Sequence, residues 1–333
     1  MKRHIGIILL LATRVFSQTP TTQPAPSVQL SAGELSATVY LPDPQTGHYR
    51  GTRFDWSGMV GELRLGRDVF WNEWNPSPNA TGDHDNAVGP AMEFGMDAPI
   101  GYDSAAVGGG FVKIGVGVLE RATTKPYFFR GQYRVLDPGV WKVMPDARGR
   151  EVTFVHSLRL GQIAYVYEKR VALTDDRSLL IACRLWNTGE QSFGTSVYAH
   201  NFYRLGDRGW MSGATLRFDR PVKQAANAKG VGAVSFDAQG LTANELKPGQ
   251  SAWIPLDYDA DNPPRAYTLT CDTLRLAVSL DFAPTRLVVY GLPEMMCVEP
   301  FKEIKLEPGA VAEWSYAYQF DRVAPESPQL QTR

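Results

Sequence analysis

The clearest pattern along the chain is an alternation of apolar and polar positions with a period of two residues. It recurs in residues 162–173, 178–187, 275–280, 286–290 and 312–320, which are rich in β-branched and aromatic side chains. Alternation over stretches of this length is typical of β-strands that bury one face. We find no capped stretch of ten or more residues with helical apolar spacing, so a parallel βαβ architecture is not expected.

Between these segments lie short sequences that favour tight turns. Asp-Pro-Gly at 137–139, Lys-Pro-Gly at 247–249 and Glu-Pro-Gly at 307–309 place proline and glycine where turns need them. Strands joined in this way form hairpins and meanders. The pattern therefore predicts an all-β protein built as a large antiparallel β-sandwich.

The two ends of the chain differ in composition from its middle. A basic start and an apolar run at 5–12, too short to cross a bilayer, predict a signal peptide over residues 1–17. Residues 18–27 are rich in proline, threonine and glutamine and predict a flexible leader, and residues 323–333 predict a polar tail. A single domain over 28–322 in a periplasmic or secreted protein is the resulting expectation.

Charge and cysteine content narrow the range of partners. Lysine plus arginine (34) nearly balance aspartate plus glutamate (35), which predicts no binding to nucleic acid, no membrane association after signal cleavage, and a neutral ligand. The cysteines, Cys183, Cys271 and Cys297, are odd in number and widely spaced. Buried free thiols are expected, with a Cys271–Cys297 bridge as the open alternative.

Common catalytic motifs are missing from the sequence. Gly108-Gly109-Gly110 lacks the following lysine of a phosphate-binding loop and precedes a strand-like run at 111–118, and no nucleophile elbow or zinc motif occurs. His156 lies in an ordinary strand pattern and is expected to be structural. His200 differs because it ends a strand in a polar pair followed by aromatic residues, and Glu299 follows an apolar strand near the other end of the chain.

The segments around these two residues, 196–205 and 296–300, resemble the paired signatures of the galactose mutarotase (aldose 1-epimerase) family. In that family an Asn-His-x-Tyr-Phe-Asn-Leu strand supplies an acid and a Cys-Leu-Glu-Thr/Pro strand supplies a base. The resemblance implies a mutarotase-like β-sandwich and an isomerase that acts on a monosaccharide or a glycan-derived sugar, with Glu299 as the general base and His200 as the acid. Because anomer exchange needs only these two groups, no cofactor and no metal are expected.

The same resemblance implies a set of substrate-binding residues. Arg53, in the run 49–58, corresponds to an arginine that holds sugar hydroxyls, and His84 falls about where the family has a second histidine. Glu93 is a further candidate for the cleft, although a surface carboxylate is the more typical interpretation. The remaining candidates are Asn201 beside the catalytic histidine, Asp261 by position alone, and Trp56, Trp71 or Trp74 as stacking surfaces.

Two other functions are consistent with the sequence. One is a carbohydrate-binding protein of the same fold without turnover, since the region around His84 departs from the family pattern. The other is a polysaccharide-lyase-like enzyme that uses Tyr198 or Tyr203 as its base.

Overall fold

Two large antiparallel sheets dominate the structure, a computed structural model that describes residues 24–75, 81–82, 87–230 and 232–324. Strands are numbered in chain order. The larger sheet has ten strands. In spatial order these are β16 (Val234–Asp237), β17 (Gly240–Ala243), β14 (Thr215–Phe218), β19 (Ala266–Cys271), β20 (Leu274–Leu280), β23 (Val311–Arg322), β12 (Ser178–Asn187), β11 (Ile163–Leu173), β10 (Glu151–Leu160) and β9 (Val140–Pro145).

The second large sheet has six strands and carries the site described below. In spatial order these are β15 (Lys223–Gln224), β18 (Ala252–Asp257), β21 (Arg286–Leu292), β22 (Met295–Leu306), β13 (Phe193–His200) and β5 (Ala91–Phe94). All neighbours in both sheets pair antiparallel.

Two smaller sheets complete the architecture. One consists of β1 (Ser27–Ala32), β2 (Leu35–Tyr40), β3 (Val60–Leu65) and β4 (Asp68–Trp71), and the other of β6 (Gly110–Lys113), β7 (Gly117–Glu120) and β8 (Val135–Asp137). The described residues contain one helical segment, the 3-10 turn Leu205–Asp207. None of their helices has the length and apolar character that a bilayer crossing requires.

The strand alternation explains how the main core forms. Inward residues of the ten-stranded sheet, such as Ile181 and Trp314, belong to one buried cluster with Val197, Val289 and Val298 of the six-stranded sheet. Because side chains alternate between the faces of a strand, the other face of the six-stranded sheet is free to line a cavity. The predicted all-β fold and antiparallel sandwich are confirmed.

Most predicted strands appear with shifts of one or two residues at their ends. The segments 162–173 and 178–187 correspond to β11 and β12, and the predicted turn at 307–309 joins β22 to β23. The prediction of one strand-like run at 111–118 was wrong in one respect, because this segment is divided between β6 and β7. Gly115, between them, has a φ of 76°, a left-handed conformation that glycine adopts without steric cost.

Several predictions concern residues outside the described ranges. The signal peptide at 1–17, most of the leader and most of the polar tail lie there, as does His84. Export and these boundaries therefore stay predictions. All three cysteines are buried free thiols, so Cys271 and Cys297 form no bridge.

His156 has a structural environment. Its Nε2 lies 3.0 Å from the Pro138 carbonyl oxygen and its Nδ1 lies 2.9 Å from the Tyr165 hydroxyl, and its ring stacks on Trp141. Burial lowers the pKa of His156 to about 4, so the ring is neutral in the folded protein at pH 7.

Candidate active site

A cavity of about 440 Å³ lies over one face of the six-stranded sheet, within the range of roughly 300–1,000 Å³ that is typical of small-molecule sites. Its buried floor combines polar and aromatic side chains, while more exposed residues form the rim. The lining residues of the floor are Arg53, Tyr198, His200, Val288, Glu299 and Phe301; those toward the rim are Met96, Phe129, Arg130, Lys229, Ser251, Trp253, Arg286 and Tyr290.

Strand register brings His200 and Glu299 together although they are about a hundred positions apart. Tyr198 of β13 pairs with Phe301 of β22, and the same register continued by two residues places His200 opposite Glu299. Pro300, between Glu299 and Phe301 on β22, has no N–H to donate, and the pairing of the two strands ends at Phe301. Because side chains alternate along a strand, both residues point to the same face as Tyr198 and Phe301.

The two side chains touch at the cavity floor. His200 Nε2 lies 3.2 Å from Glu299 Oε1, and the side chains are only 2% and 8% exposed. Burial raises the pKa of Glu299 to about 8, against the opposing effect of the Arg53 charge. At neutral pH the pair therefore holds a proton that an exposed glutamate would have released.

The other nitrogen of the imidazole contacts a thiol. Cys297 Sγ lies 3.0 Å from His200 Nδ1, and the Phe202 N–H donates to the same sulfur at 3.2 Å. When the carboxyl of Glu299 donates to Nε2, the Nδ1–H must donate to sulfur; when Glu299 is ionised and His200 is neutral, Nε2–H donates to the carboxylate and the thiol donates to Nδ1 instead. The tautomer of His200 is thus coupled to the protonation of Glu299.

Aromatic residues fix the orientation of the His200 ring. Phe202 stacks on it with 4.0 Å between ring centroids, and Phe54 meets it edge-on at 5.5 Å. Phe202 has a φ of 46°, a left-handed conformation that is strained for a bulky side chain. That backbone reversal turns the chain immediately after β13 and returns the phenyl ring over the imidazole.

Arg53 and Glu93 form a second polar layer beside this pair. Arg53 donates from Nε to Glu93 Oε2 at 2.8 Å and from Nη2 to the Tyr198 hydroxyl at 3.0 Å, and that hydroxyl donates to Glu93 at 2.6 Å. Glu93 is fully buried, so the expectation of a surface carboxylate was wrong. The cause is that both faces of β5 are covered, one by the core and one by Arg53 and Lys113.

Lys113 completes this layer from the three-stranded sheet. Its Nζ lies 3.5 Å from Glu93 Oε1 and donates to the Tyr127 hydroxyl at 3.1 Å. Burial lowers the pKa of Lys113 to about 8, although the charge of Glu93 acts in the opposite direction. One carboxylate therefore sits between two cations beneath the cavity, and it holds the Arg53 guanidinium in place at the cavity wall.

The structure brings three of the predicted site residues together and places others elsewhere. Arg53, His200 and Glu299 share the cavity. Asn201 is buried behind it, where its amide donates to the Val298 carbonyl and accepts from the Tyr318 hydroxyl. The described tryptophans proposed for stacking, Trp56, Trp71 and Trp74, are buried and donate to backbone carbonyls, and Asp261 is exposed outside the cavity lining.

Sequence reasoning missed several lining residues, with Trp253 as the clearest case. Trp253 pairs with Tyr290 across β18 and β21 and is only partly buried, so its indole is available at the cavity. Its position follows from the strand pairing. Tyr290, Val288 and Arg286 occupy every second position of β21 and so lie on one face of that strand, and Trp253, opposite Tyr290, lies on the same face of the sheet. The signal was present in the alternation of 286–290, but it needed the strand order to show which face is the cavity.

His200, Cys297 and Glu299 also offer three potential metal-ligand atoms within 4.8 Å of one another. The thiol contacts Nδ1 whereas the carboxylate contacts Nε2. A single ion cannot replace both contacts through one ring nitrogen. The arrangement is a hydrogen-bonded chain, thiol to imidazole to carboxyl, that can pass a proton along its length.

Comparison with known proteins identifies the fold. No protein-family model and no curated protein matches the sequence. Among solved structures the chain is similar to a Synechocystis protein (TM-score 0.57, 12% identity, 92% of this chain and 99% of that one) and to a galactose mutarotase-like protein from Clostridium acetobutylicum (0.53, 12%, 89% and 95%). It is also similar to galactose 1-epimerase from Lactobacillus acidophilus (0.50, 12%, 88% and 92%).

These similarities show a galactose mutarotase-like β-sandwich fold over nearly the whole described chain. At such identities they establish the fold and not the reaction. The reaction has to be argued from the residues in the cavity.

Proposed function

We propose that the protein is an aldose 1-epimerase-like isomerase that interconverts the anomers of a sugar. The observation that carries this proposal is the contact between His200 and Glu299 on the floor of a cavity of sugar-binding size. Anomer exchange requires an acid and a base that act on two neighbouring oxygens, O1 and O5 of the pyranose. A carboxyl and an imidazole side by side supply both.

The proton balance of the reaction matches a pair that holds one proton. The unprotonated member takes the O1 proton while the protonated member gives its proton to O5, and the C1–O5 bond breaks to leave an aldehyde. After rotation about C1–C2 the ring closes on the other face, and both protons return. In one direction Glu299 is the base and His200, carrying the proton of the pair, is the acid; the roles are exchanged on closure.

Arg53 is suited to bind sugar hydroxyls in this reaction. Its guanidinium lies between Glu93 and the cavity, and its planar donors are held by two hydrogen bonds. Such a preorganised group loses little side-chain entropy on binding. Trp253 and Tyr290 offer aromatic faces at the same cavity, a common surface for the apolar face of a pyranose.

The lyase alternative is not favoured by the contacts of the two candidate tyrosines. The Tyr198 hydroxyl already donates to a carboxylate, and burial raises its pKa well above the usual range. Tyr203 is fully buried and its hydroxyl lies 2.6 Å from that of Tyr267. Neither phenol is placed to take a proton from a sugar carbon.

The test is the rate of anomer exchange measured by polarimetry or NMR exchange spectroscopy on a panel of fresh aldoses. The wild-type protein should accelerate exchange, and Glu299→Gln should lose roughly 10²- to 10⁴-fold of that acceleration, the usual worth of general acid-base catalysis. Glu303→Gln, an exposed position on the same strand, is the matched control and should keep the wild-type rate. Equal rates for Glu299→Gln and wild type would reject the proposal, and sugar binding without acceleration would indicate a binding protein.

A further inference from the structure

The thiol of Cys297 lies directly behind the His200–Glu299 pair. Cys297 precedes Glu299 by two residues on β22 and pairs with Tyr290 of β21, so its side chain leaves the strand on the same face as that of Glu299. It is fully buried and contacts the imidazole at Nδ1, the nitrogen opposite the one that meets the carboxyl. The proton transfers of the proposed reaction take place at Nε2 and the carboxyl, and not at the thiol itself.

The contacts of the sulfur allow the thiol two orientations. The Phe202 N–H donates to Sγ at 3.2 Å, so the sulfur is an acceptor in both. In the first orientation the thiol hydrogen points to His200 Nδ1, 3.0 Å from Sγ. In the second it points to Met295 Sδ, 3.6 Å from Sγ, and a hydrogen on Nδ1 can then donate to the sulfur. A thioether is a weak acceptor and a thiol is a weak donor, so the two are matched.

The proposed reaction requires the second orientation. His200 gives the Nε2 proton to the ring oxygen and later takes a proton back at Nε2, and Nδ1 carries a hydrogen in both the charged and the neutral ring. The first orientation needs a bare Nδ1, and hence a neutral ring with its hydrogen on Nε2, which has no lone pair left there to accept a proton. A sulfur that accepts from Nδ1–H therefore keeps Nε2 available for proton transfer.

The thiol is suited to this part because it stays neutral. Burial raises the pKa of Cys297 well above its usual range, and the charge of Glu299 acts in the same direction. A carboxylate in this place would hold the proton on the imidazolium through its negative charge. A neutral acceptor orients the ring without that attraction, so the proton on Nε2 remains transferable to a sugar oxygen.

We infer that Cys297 is a positioning residue of the proposed reaction: its sulfur holds His200 in the form that carries a hydrogen on Nδ1, while Met295 accepts the thiol hydrogen. This inference rests on the proposed function and deepens it. It also separates Cys297 from nucleophilic cysteines, which are partly exposed thiolates, because this sulfur is fully buried behind the imidazole.

Histidine NMR on the full-length protein tests the inference without any need for turnover. Two-bond proton–nitrogen correlation spectra of protein labelled with nitrogen-15 histidine show which ring nitrogens carry hydrogen, and the His200 signals are identified by their absence from His200→Gln. At about pH 6.5 the Nδ1 of His200 should carry a hydrogen. A neutral ring with its hydrogen on Nε2 alone overturns the inference.

Variants of the thiol relate the form of the ring to the rate. Cys297→Ala takes the sulfur acceptor from Nδ1–H, so the hydrogen should move to Nε2, where the Glu299 carboxylate accepts it. The kcat of anomer exchange should fall about tenfold with KM nearly unchanged, and the rate should begin to fall at lower pH than in the wild type. Cys297→Ser should recover most of the rate, because a hydroxyl both donates and accepts. Cys271→Ala, at a buried cysteine of the ten-stranded sheet, is the matched control and should keep the wild-type rate and spectrum.

The outcomes distinguish this inference from the proposed function. A wild-type rate in Cys297→Ala, or a loss in Cys297→Ser as large as in Cys297→Ala, overturns the role of Cys297. If Cys297→Ala does not fold, Met295→Leu decides instead: it removes the second acceptor of the thiol hydrogen and should move the ring hydrogen toward Nε2, and an unchanged spectrum contradicts the inference. Hydrogen on Nδ1 without anomer exchange rejects only the isomerase, and anomer exchange with hydrogen on Nε2 alone rejects only the role of Cys297.

Discussion

Two fully buried carboxylate–lysine pairs in this protein have similar contacts but different surroundings. Asp55 and Lys169 lie 3.3 Å apart, and Glu93 and Lys113 lie 3.5 Å apart, with all four side chains inaccessible to solvent. The first pair is enclosed by Ser57, Tyr167 and the main core. The second contacts Arg53 and Tyr198, both of which line the cavity.

The difference shows that a buried ion pair by itself does not mark a functional site. Arg53 and Asp55 are two residues apart on one segment, yet one faces the cavity layer and the other the core. The Asp55 N–H donates to the Met92 carbonyl, which fixes this segment against β5 and so delivers Arg53 to Glu93. The Asp55–Lys169 pair, which we call the sealed pair, stabilises the fold. The Glu93–Lys113 pair beneath the cavity positions Arg53.

The largest expected effect comes from breaking the sealed pair. Lys169→Met leaves the Asp55 carboxylate buried without its cation, and the free energy of unfolding should fall by about 3–5 kcal/mol. Urea unfolding followed by fluorescence measures this loss. Lys305→Met, at an exposed position, should change stability by less than about 0.5 kcal/mol. A loss in Lys169→Met no greater than in the control would show that the hydrogen bonds from Ser57 and Tyr167 satisfy Asp55 without the lysine.

Breaking the pair beneath the cavity should affect binding more than folding. Glu93→Gln removes the charge that holds Arg53, and the affinity for sugar should fall roughly tenfold to a hundredfold, equivalent to about 1–3 kcal/mol. Stability should fall by less than in Lys169→Met. Calorimetric titration and urea unfolding of the same preparation give both numbers. An unchanged affinity would mean that Arg53 keeps its position without Glu93.

The pH dependence of anomer exchange tests the proton held by the His200–Glu299 pair and the influence of Glu93 on it. Since the His200–Glu299 pair needs its proton, and Glu299 loses that proton with a pKa of about 8, the rate should fall above pH 8, approaching about tenfold per pH unit. The charge of Glu93 raises the pKa of Glu299, so the fall should begin at lower pH in Glu93→Gln. A rate that keeps rising through pH 9 would contradict the one-proton mechanism.

The smallest expected effect compares two tryptophans. Trp253→Ala should weaken sugar binding by roughly twofold to tenfold, the range of an aromatic contact worth about 0.5–1.5 kcal/mol. Trp56→Phe should leave the affinity unchanged, because the Trp56 indole donates to the Gly51 carbonyl behind the cavity. The same titration measures both. A larger loss in Trp56→Phe than in Trp253→Ala would reverse this assignment.

Sequence reasoning was strongest where a pattern is local. The alternation in 178–187 predicted β12, and the segments around His200 and Glu299 pointed to two residues that share the cavity. It failed where a side chain's environment depends on distant parts of the chain. Glu93 is buried by Arg53 and Lys113, which come from other segments, and no property of residues 91–94 reveals this.

The charge of the cavity illustrates the same limit. Arg130, Lys229 and Arg286 are separated by dozens of residues, and each is unremarkable in its own segment. Only the folded chain collects them at one rim, which the total charge of the chain does not reveal. The placement of Trp253 likewise required the order of strands in the sheet.

The division of the cavity into a strand-built floor and a partly loop-built rim has a practical consequence. His200 and Glu299 are tied to neighbouring strands, whereas Arg130 lies between β7 and β8 and Lys229 between β15 and β16. Under the proposed function, loop exchange at those two places should alter which sugars bind while His200 and Glu299 keep their positions. Selectivity and the proposed reaction should therefore be open to separate engineering.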